Sequence, residues 1–538
     1  MKRKSLILIF CCITSVLFAQ QLNFPLNYEM QNRLERYLST SSRFITASKP
    51  YNMAEVQAAI TDSAMQELGF DTDSSKNGFK FGILKGDLLS VSAKRKKFYF
   101  ALNPILDMQF GYDINSKKMR YTVGYGARLD ANLGRKVSLS FTYQGVTEDY
   151  LQQVSNYAVQ YGVLAGYRKA GFKGNRLNSH LFSGYLSYSP NKHFNFQIGN
   201  DKQFFGEGYR SLFLSDNASN TPYIKLTANF WRIKYTCLYN IMRYAPVDGF
   251  NVSNDVSKFR TKYATFHLIS VDVAKWMQFT FFEGVTWYKG DSTRRRGIEF
   301  SYLIPMAFIR PVEFALGSPD NVVLGIGMKF KASPKNIFYT QIMLDDMDVA
   351  AARKGKGFYR TKVAAQFGFK SFDIFKVKHL DFQTELNIVR PFVYAHKAPE
   401  QSYTNFNQAL THPLGANFLE SITFLNFWHK HWTASAKFQY VAQGLDNTYQ
   451  HQGSNIFVSD YLIAPILGTA YGNTFLQGKR TNIINVEARG GYLINPKINL
   501  SAEAFINYRY QKTGNIKQQN TYFGISLRTN LFNRYTDF

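Results

Sequence analysis

The sequence is poor in cysteine, in long apolar runs and in acidic charge. Of 538 residues only three are cysteine. Cys11 and Cys12 fall in the first twenty residues, so a processed chain keeps Cys237 alone. One thiol cannot form an internal disulfide, and a cysteine-based metal site is excluded. No small residues precede Cys11 and Cys12, so a lipoprotein acylation box is not expected. Beyond the N-terminus, no segment reaches the roughly 18 uninterrupted apolar residues of a spanning helix. Acidic residues number 37 against 64 Lys and Arg, for a formal charge of +27, or +24 once Lys2, Arg3 and Lys4 are removed. Such an excess raises the local concentration of anionic partners. No nucleic-acid-binding motif accompanies it, and no nucleic-acid partner is expected.

Aromatic residues and period-two alternation are abundant instead. Aromatics make up 16% of the chain, with 48 Phe and 35 Tyr, while charged residues are 19%. From about Lys97 onward, stretches of some ten residues alternate apolar with polar. In His379 to Val389, Leu380, Phe382, Thr384, Leu386 and Ile388 point one way, and Asp381, Gln383, Glu385 and Asn387 the other. Strand side chains alternate faces, so each such segment has one apolar and one polar face. A soluble sandwich buries the apolar face, whereas a membrane barrel turns it to lipid. Met1-Lys2-Arg3-Lys4, the apolar run Leu6 to Phe18 and Leu17-Phe18-Ala19 read as a secretory signal. Export, alternation and aromatic content together favour the outer-membrane barrel.

The expected organisation is a signal peptide at 1–20, a periplasmic helical cap at 21–95 and a barrel at 96–538. Tyr28 to Tyr37 and Met53 to Leu68 have helical spacing, with Asn52 or Tyr51 near the second N-terminus and Gly69 as C-cap. Candidate strands are 97–112, 119–133, 136–146, 180–189, 193–201, 222–230, 232–242, 259–272 and 276–288. They continue at 297–304, 322–331, 336–344, 360–370, 379–389, 419–428, 432–442, 480–495, 497–511 and 520–531. Bacterial single-chain barrels have an even number of strands. One of these nineteen is therefore excess, around Pro305 to Asp320 or at the first strand, and 18 antiparallel strands are expected, with 16 or 20 as alternatives. Short turns such as Gly134-Arg135 and Asn495-Pro496-Lys497 alternate with long connections, as in such barrels. Trp428 and Trp432, flanking a tight turn, are expected in an aromatic girdle, and Asn533 to Asp537 reads as a polar tail before Phe538.

Catalytic and metal chemistry find little support. His429 and His431 have no third ligand placed by spacing. Gly206-Glu207-Gly208 lacks the phosphate-loop pattern, and no nucleophile-elbow pentapeptide occurs. Asp345, Asp346 and Asp348 lack the glycine and distal Glu of a calcium loop. No cofactor, metal or enzymatic activity is expected. Arg294, Arg295 and Arg296 form a basic loop suited to solvent or to anionic sugars. Inward-facing Asp381, Glu385, Glu487, Arg489, Glu503 and Arg509 suit a salt-bridged lumen wall, around a channel or a closed interior.

Three segments are more specific. They are Phe204 to Ala218, with Gly206, Gly208, Tyr209, Arg210, Ser211 and Asn217; Ile309 to Asn321, with Arg310 and Glu313; and Tyr403 to Phe418, with Asn407, His412 and Asn417. Together they resemble the capsule-assembly (Wzi-type) outer-membrane barrel family, in its Bacteroidota branch typified by the gliding motility protein RemB. The resemblance implies an 18-stranded outer-membrane barrel with a periplasmic helical cap, and a surface lectin that tethers capsular polysaccharide. Its partners would be acidic surface polysaccharide, outer-membrane lipid or lipopolysaccharide, and gliding or adhesin proteins. Alternatives are a gliding or adhesion component and a diffusion porin. The eleven named residues are read as a plug or as ligand contacts. The plug is favoured because buried charges need partners.

Overall fold

The computed structural model describes residues 22–41, 44–70, 78–82, 84, 86–93, 98–149, 151–174, 176–290, 297, 299–303, 320–345, 349–447, 450–462 and 470–538. Among them, an 18-stranded antiparallel sheet closes into a barrel. Its strands are β1 (Phe98–Asp113), β2 (Lys118–Leu133), β3 (Val137–Asp149), β4 (Arg176–Tyr188), β5 (Phe194–Asp201) and β6 (Thr221–Phe230). Next come β7 (Ile233–Tyr244), β8 (Arg260–Ala274), β9 (Met277–Tyr288), β10 (Asn321–Ser333), β11 (Asn336–Asp345) and β12 (Lys362–Phe372). The last are β13 (Leu380–Val389), β14 (Phe418–His429), β15 (Trp432–Leu445), β16 (Lys479–Asn495), β17 (Leu500–Thr513) and β18 (Ile516–Arg528). Each pairs with its neighbour in sequence, and β18 closes the ring on β1 from Tyr522↔Asp113 to Arg528↔Asp107.

The alternation in sequence becomes an inside-out polarity. Along β13, Asp381, Gln383, Glu385 and Asn387 are all at most 1% exposed, while the apolar residues between them face outward. Phe141, Ile198, Ile224, Phe438 and Ile525 are likewise exposed on the outer wall. A soluble fold cannot leave so large a contiguous apolar band to water. Hydrocarbon is its natural solvent, and closure leaves no strand edge unpaired there. Trp231, Trp276 and Trp432 stand exposed at the β6–β7, β8–β9 and β14–β15 turns, where interfacial anchors belong.

The two ends of the barrel differ. One carries short turns, such as 134–136, 231–232, 334–335 and 430–431; the other carries the long connections 150–175, 202–220, 289–320, 390–417 and 446–478. The N-terminal helices sit at the short-turn end. Helix α1 (Tyr28–Thr40) is capped by Asn27, α2 (Met53–Ala59) by Asn52 and α3 (Asp62–Glu67) by Thr61, each accepting a backbone N–H. The expected single helix over Met53 to Leu68 is thus two, divided at Ile60 where the Thr61 cap restarts it. Gly69, with φ +86°, follows the last turn, and a Cβ there would lie 2.6 Å from Pro496 O in the β16–β17 turn. Beyond the helices, Gly78–Phe81 and Leu89–Ala93 form a hairpin that joins the sheet at Phe98 to Leu102 of β1.

Three further sequence expectations need correction. The candidate strand 297–304 is the excess one: residues 300–303 form a 3-10 turn. Buried Tyr302 packs there on Trp287 and donates to Asp320 at 2.8 Å. Trp428 does not join the girdle. It lies on the inward parity of β14, against His379 and under Arg33, whereas Trp432 points out. The polar tail is not a surface appendage, because segment 529–538 turns back into the lumen.

Candidate functional site: a lumenal plug

The lumen is filled from three directions. The 202–220 and 390–417 loops fold down from the long-loop end, α1 seals the opposite end, and segment 529–538 runs up between them. An apolar core centred on Phe205, Phe213, Phe266, Phe282, Tyr394 and Tyr403 welds the two loops to the wall. Phe213 stacks on Phe282 at 4.9 Å between centroids. The hydroxyls of Tyr394 and Tyr403 donate to Leu212 O and Phe213 O at 3.0 and 2.7 Å.

A charge network lies within this plug. Arg210, 2% exposed, donates through Nη2 to Glu420 at 3.0 Å and to Asp537 at 2.9 Å. Its guanidinium sits 4.9 Å from the rings of both Tyr209 and Tyr535. Burial opposes its charge, but Asp537 and Glu420 outweigh burial and hold it protonated. His412 Nδ1 accepts the Leu414 N–H at 3.2 Å, so Nε2 carries the proton and donates to Glu420 at 2.6 Å. Burial pushes the His412 pKa down against the pull of Glu420. Glu385 accepts the Tyr209 and Arg210 N–H groups, the Tyr339 hydroxyl at 2.7 Å and Gln383 Nε2 at 2.8 Å.

The predicted residues divide by role. Tyr209, Arg210 and His412 converge on this network, with Tyr209 packed edge-on to Tyr28 and Tyr535. Ser211 donates to Phe205 O, and Gln341 accepts the Leu212 N–H at 2.8 Å. Gly206 and Gly208 allow close approach: a Cβ on Gly208 would sit 2.6 Å from Glu385 Oε1, and one on Gly206 2.8 Å from Gln341 Nε2. Asn217, Asn407 and Asn417 lie elsewhere and stitch loop backbones, donating to Ala409 O at 2.9 Å, Tyr161 O at 3.0 Å and Gly444 O at 2.7 Å respectively. Arg310, Glu313, Arg294, Arg295, Arg296, Asp346 and Asp348 lie outside the described residues. Asp345 is buried and accepts the Tyr394 N–H at 2.6 Å. No cluster of metal-ligating side chains occurs among the described residues.

The lumen-wall residues face inward, and several of their partners come from the plug. Asp381 pairs with Arg36 of α1, and Arg509 donates to Phe538 O at 2.6 Å. Glu487 takes Lys437 and Arg489, while Glu503 takes Arg489 and Arg528. Glu35 of α1 bonds Lys370, whose ammonium also donates to Glu207 O, and Lys329 pairs with Glu207 at 2.6 Å.

Sequence reasoning missed segment 529–538. Asn533 donates to Leu26 O and Asp216, Arg534 pairs with Glu148 at 2.7 Å, and Tyr535 donates to Asp216 at 2.7 Å. Phe538 packs on Tyr157 of α4 (Gln152–Tyr161), in the long 150–175 connection, at 4.8 Å. Beside this segment remains a polar cavity of about 280 Å³, reaching from Asn27 and Glu29 to Arg120 and Asp149.

Comparisons with known proteins agree with this architecture. No family model matches the sequence, and no curated protein matches it. Among solved structures, Escherichia coli Wzi is similar with a TM-score of 0.53 at 11% identity, covering 95% of this chain and 100% of that one. Wzi is described as a carbohydrate-binding β-barrel of the outer membrane involved in group 1 capsule assembly. Pseudomonas aeruginosa OprD and OpdK give TM-scores of 0.41, at 9% and 10% identity, over 79% and 80% of this chain and 94% and 98% of theirs. At 11% identity, the likeness to Wzi shows the fold: this chain has the fold of an 18-stranded outer-membrane β-barrel.

Proposed function

We propose that this chain is a non-enzymatic outer-membrane barrel that binds and anchors acidic polysaccharide at the cell surface. The observation that carries the reading is the filled lumen. A barrel that spends Arg210, Glu385, His412, Glu420 and Asp537 on holding its own loops inside is not built for bulk diffusion. Its useful surface is then the long-loop end, where exposed Lys354, Lys356 and Lys397 are placed to meet anionic polymers. The shared fold with carbohydrate-binding Wzi supports the same direction. On this reading the glycine, Arg210 and His412 motifs are plug residues, and sugar is held by side chains at the outer rim.

The resemblance of the same motifs to the Bacteroidota branch supports a second reading, a component of surface gliding. Colony spreading of a deletion strain tests it. The polysaccharide reading is tested by proteoliposomes carrying the full chain and floated with fluorescent alginate, a uronic-acid polymer, or with neutral dextran. Co-flotation of alginate is the expected result. Failure to float either polymer contradicts the proposal.

A further inference from the structure

Three long connections are joined at the outer end. Tyr359 N donates to Ala470 O at 2.9 Å, Gly472 N to Lys356 O at 2.8 Å, and Asn473 N to Gly357 O at 3.0 Å. Ser459 Oγ donates to Lys397 O at 2.6 Å, which ties the 390–417 connection to the same platform. Gly357, with φ +64°, is needed here, since a Cβ would lie 2.5 Å from Asn473 O. The surface is thus held in place rather than left as separate loops.

Aromatic rings line this platform. Phe358 contacts Tyr359 and Tyr471 at centroid distances of 5.0 and 5.2 Å, and Tyr359 meets Phe392 at 6.1 Å. The row runs from buried Phe392 out to Tyr471, which is 46% exposed. Tyr461, 43% exposed, holds the Lys397 ammonium 4.9 Å from its ring. Lys354, Lys356 and Lys397 are all exposed on these connections. The two acidic side chains of the 446–478 connection are both engaged. Asp460 pairs with buried Lys362 at 2.6 Å, and Asp446 accepts the Gln452, Ser454 and Asn455 N–H groups at 2.6 to 3.1 Å. Aromatic faces and exposed cations therefore point outward while these two carboxylates do not.

We infer that Tyr461, Tyr471, Lys354, Lys356 and Lys397 form a docking surface for a uronic-acid-containing polysaccharide strand. The inference rests on the proposed polysaccharide reading and assigns it a site. Tyrosine rings cover the apolar C–H faces of pyranose units, which offer no charge to bind. The lysines meet the carboxylates spaced along the chain through charge-assisted hydrogen bonds. A neutral glucan satisfies the rings alone, and a small inorganic anion the lysines alone. An acidic polysaccharide satisfies both.

The test uses the full chain in proteoliposomes, with alginate oligosaccharides as probe and dextran as neutral comparison. Tyr461→Ala/Tyr471→Ala is expected to weaken alginate binding roughly tenfold at any salt concentration. Lys354→Gln/Lys356→Gln/Lys397→Gln is expected to weaken it at low salt and to flatten its salt dependence. Lys173→Gln/Lys258→Gln, on other outer connections, keeps unchanged affinity. The five substituted platform residues are surface-exposed, and gel-shift heat-modifiability checks that each barrel is folded. Wild-type binding that survives both platform variants, or falls equally with the Lys173/Lys258 variant, overturns the site and leaves the polysaccharide reading standing. Preference for dextran over alginate overturns the acidic class. Absence of binding by the wild type overturns the underlying reading itself.

Discussion

Arg210 and Asp537 meet at 2.9 Å inside the barrel, though 327 residues separate them in sequence. One descends in a loop from the long-loop end and the other rises in a segment from the opposite end. Glu420 on the wall completes the triad, so a single guanidinium fastens two plug elements to the barrel. Its geometry leads directly to what removal should do.

Arg210→Met leaves Glu420 and Asp537 buried without their shared cation. Breaking a buried ion pair by removing one partner costs about 3–5 kcal/mol. The urea midpoint of the reconstituted barrel is expected to fall accordingly. Arg210→Lys recovers only part, because an ammonium lacks the second bond, from Nε to Glu420 at 3.4 Å, and the planar stacking on Tyr209 and Tyr535.

Tyr209→Ala and His412→Ala separate a plug role from ligand contact. Each should lower stability by about 1–3 kcal/mol, since buried partners lose packing or a hydrogen bond. The folded fraction should keep its alginate affinity. Flotation binding measured alongside unfolding distinguishes these effects, and lost affinity at unchanged stability counts for direct contact.

Glu35 gives a pH signature. Burial raises its pKa, but Lys370, Lys49 and Lys329 outweigh burial and bring it from 4.5 to about 2. A carboxylate whose folded pKa is depressed contributes stability that is complete above its unfolded pKa and lost as pH falls through the folded one. The window therefore runs from about pH 4.5 down to 2 and is worth roughly 3 kcal/mol. Glu35→Gln should remove that part of the slope in unfolding midpoints measured across the window.

Phe438, 48% exposed at the middle of β15, faces lipid. Phe438→Arg should cost about 2–4 kcal/mol, the penalty for a cation near the bilayer midplane. Refolding yield into lipid vesicles reads this out. Gln439→Leu, on the lumenal side of the same strand, should instead act through its lost bond to Glu420, at 2.6 Å.

The plug has an electrical consequence. In a planar bilayer the full chain should show almost no steady conductance. A chain lacking 529–538 should conduct, because Leu531 to Arg534 and Thr536 line the polar cavity and Asp537 fastens the 202–220 loop through Arg210. Steady large conductance of the full chain would favour the porin alternative.

Much of the barrel was legible because strand periodicity is local. Leu380 to Val389 alternates in sequence and in burial alike, and the even-number rule marked one strand as excess. The rule did not say which. Gly297 to Ile304 also alternates, yet Tyr302 is fixed by the distant Trp287 and Asp320, a tertiary contact that no local pattern carries. Trp428 and Trp432 looked equivalent across their turn, but β14 parity sends one inward. The motif loops could be located and their charged residues singled out. Their partners could not be named, because Glu420, Asp537 and Gln341 come from remote segments. Asn533 to Asp537 looks like any solvated tail, and only the complementary charges already inside the barrel draw it in. The outer platform was equally hidden, since Phe358 and Tyr471 become neighbours only when two long connections fold together.

The central claim is that this barrel holds polysaccharide at the cell surface. The most direct measurement is the ratio of cell-bound to released polysaccharide in a deletion strain of the native host. The account predicts a shift of polysaccharide into the medium with total synthesis unchanged, reversed by the wild-type chain. An unchanged ratio would contradict it.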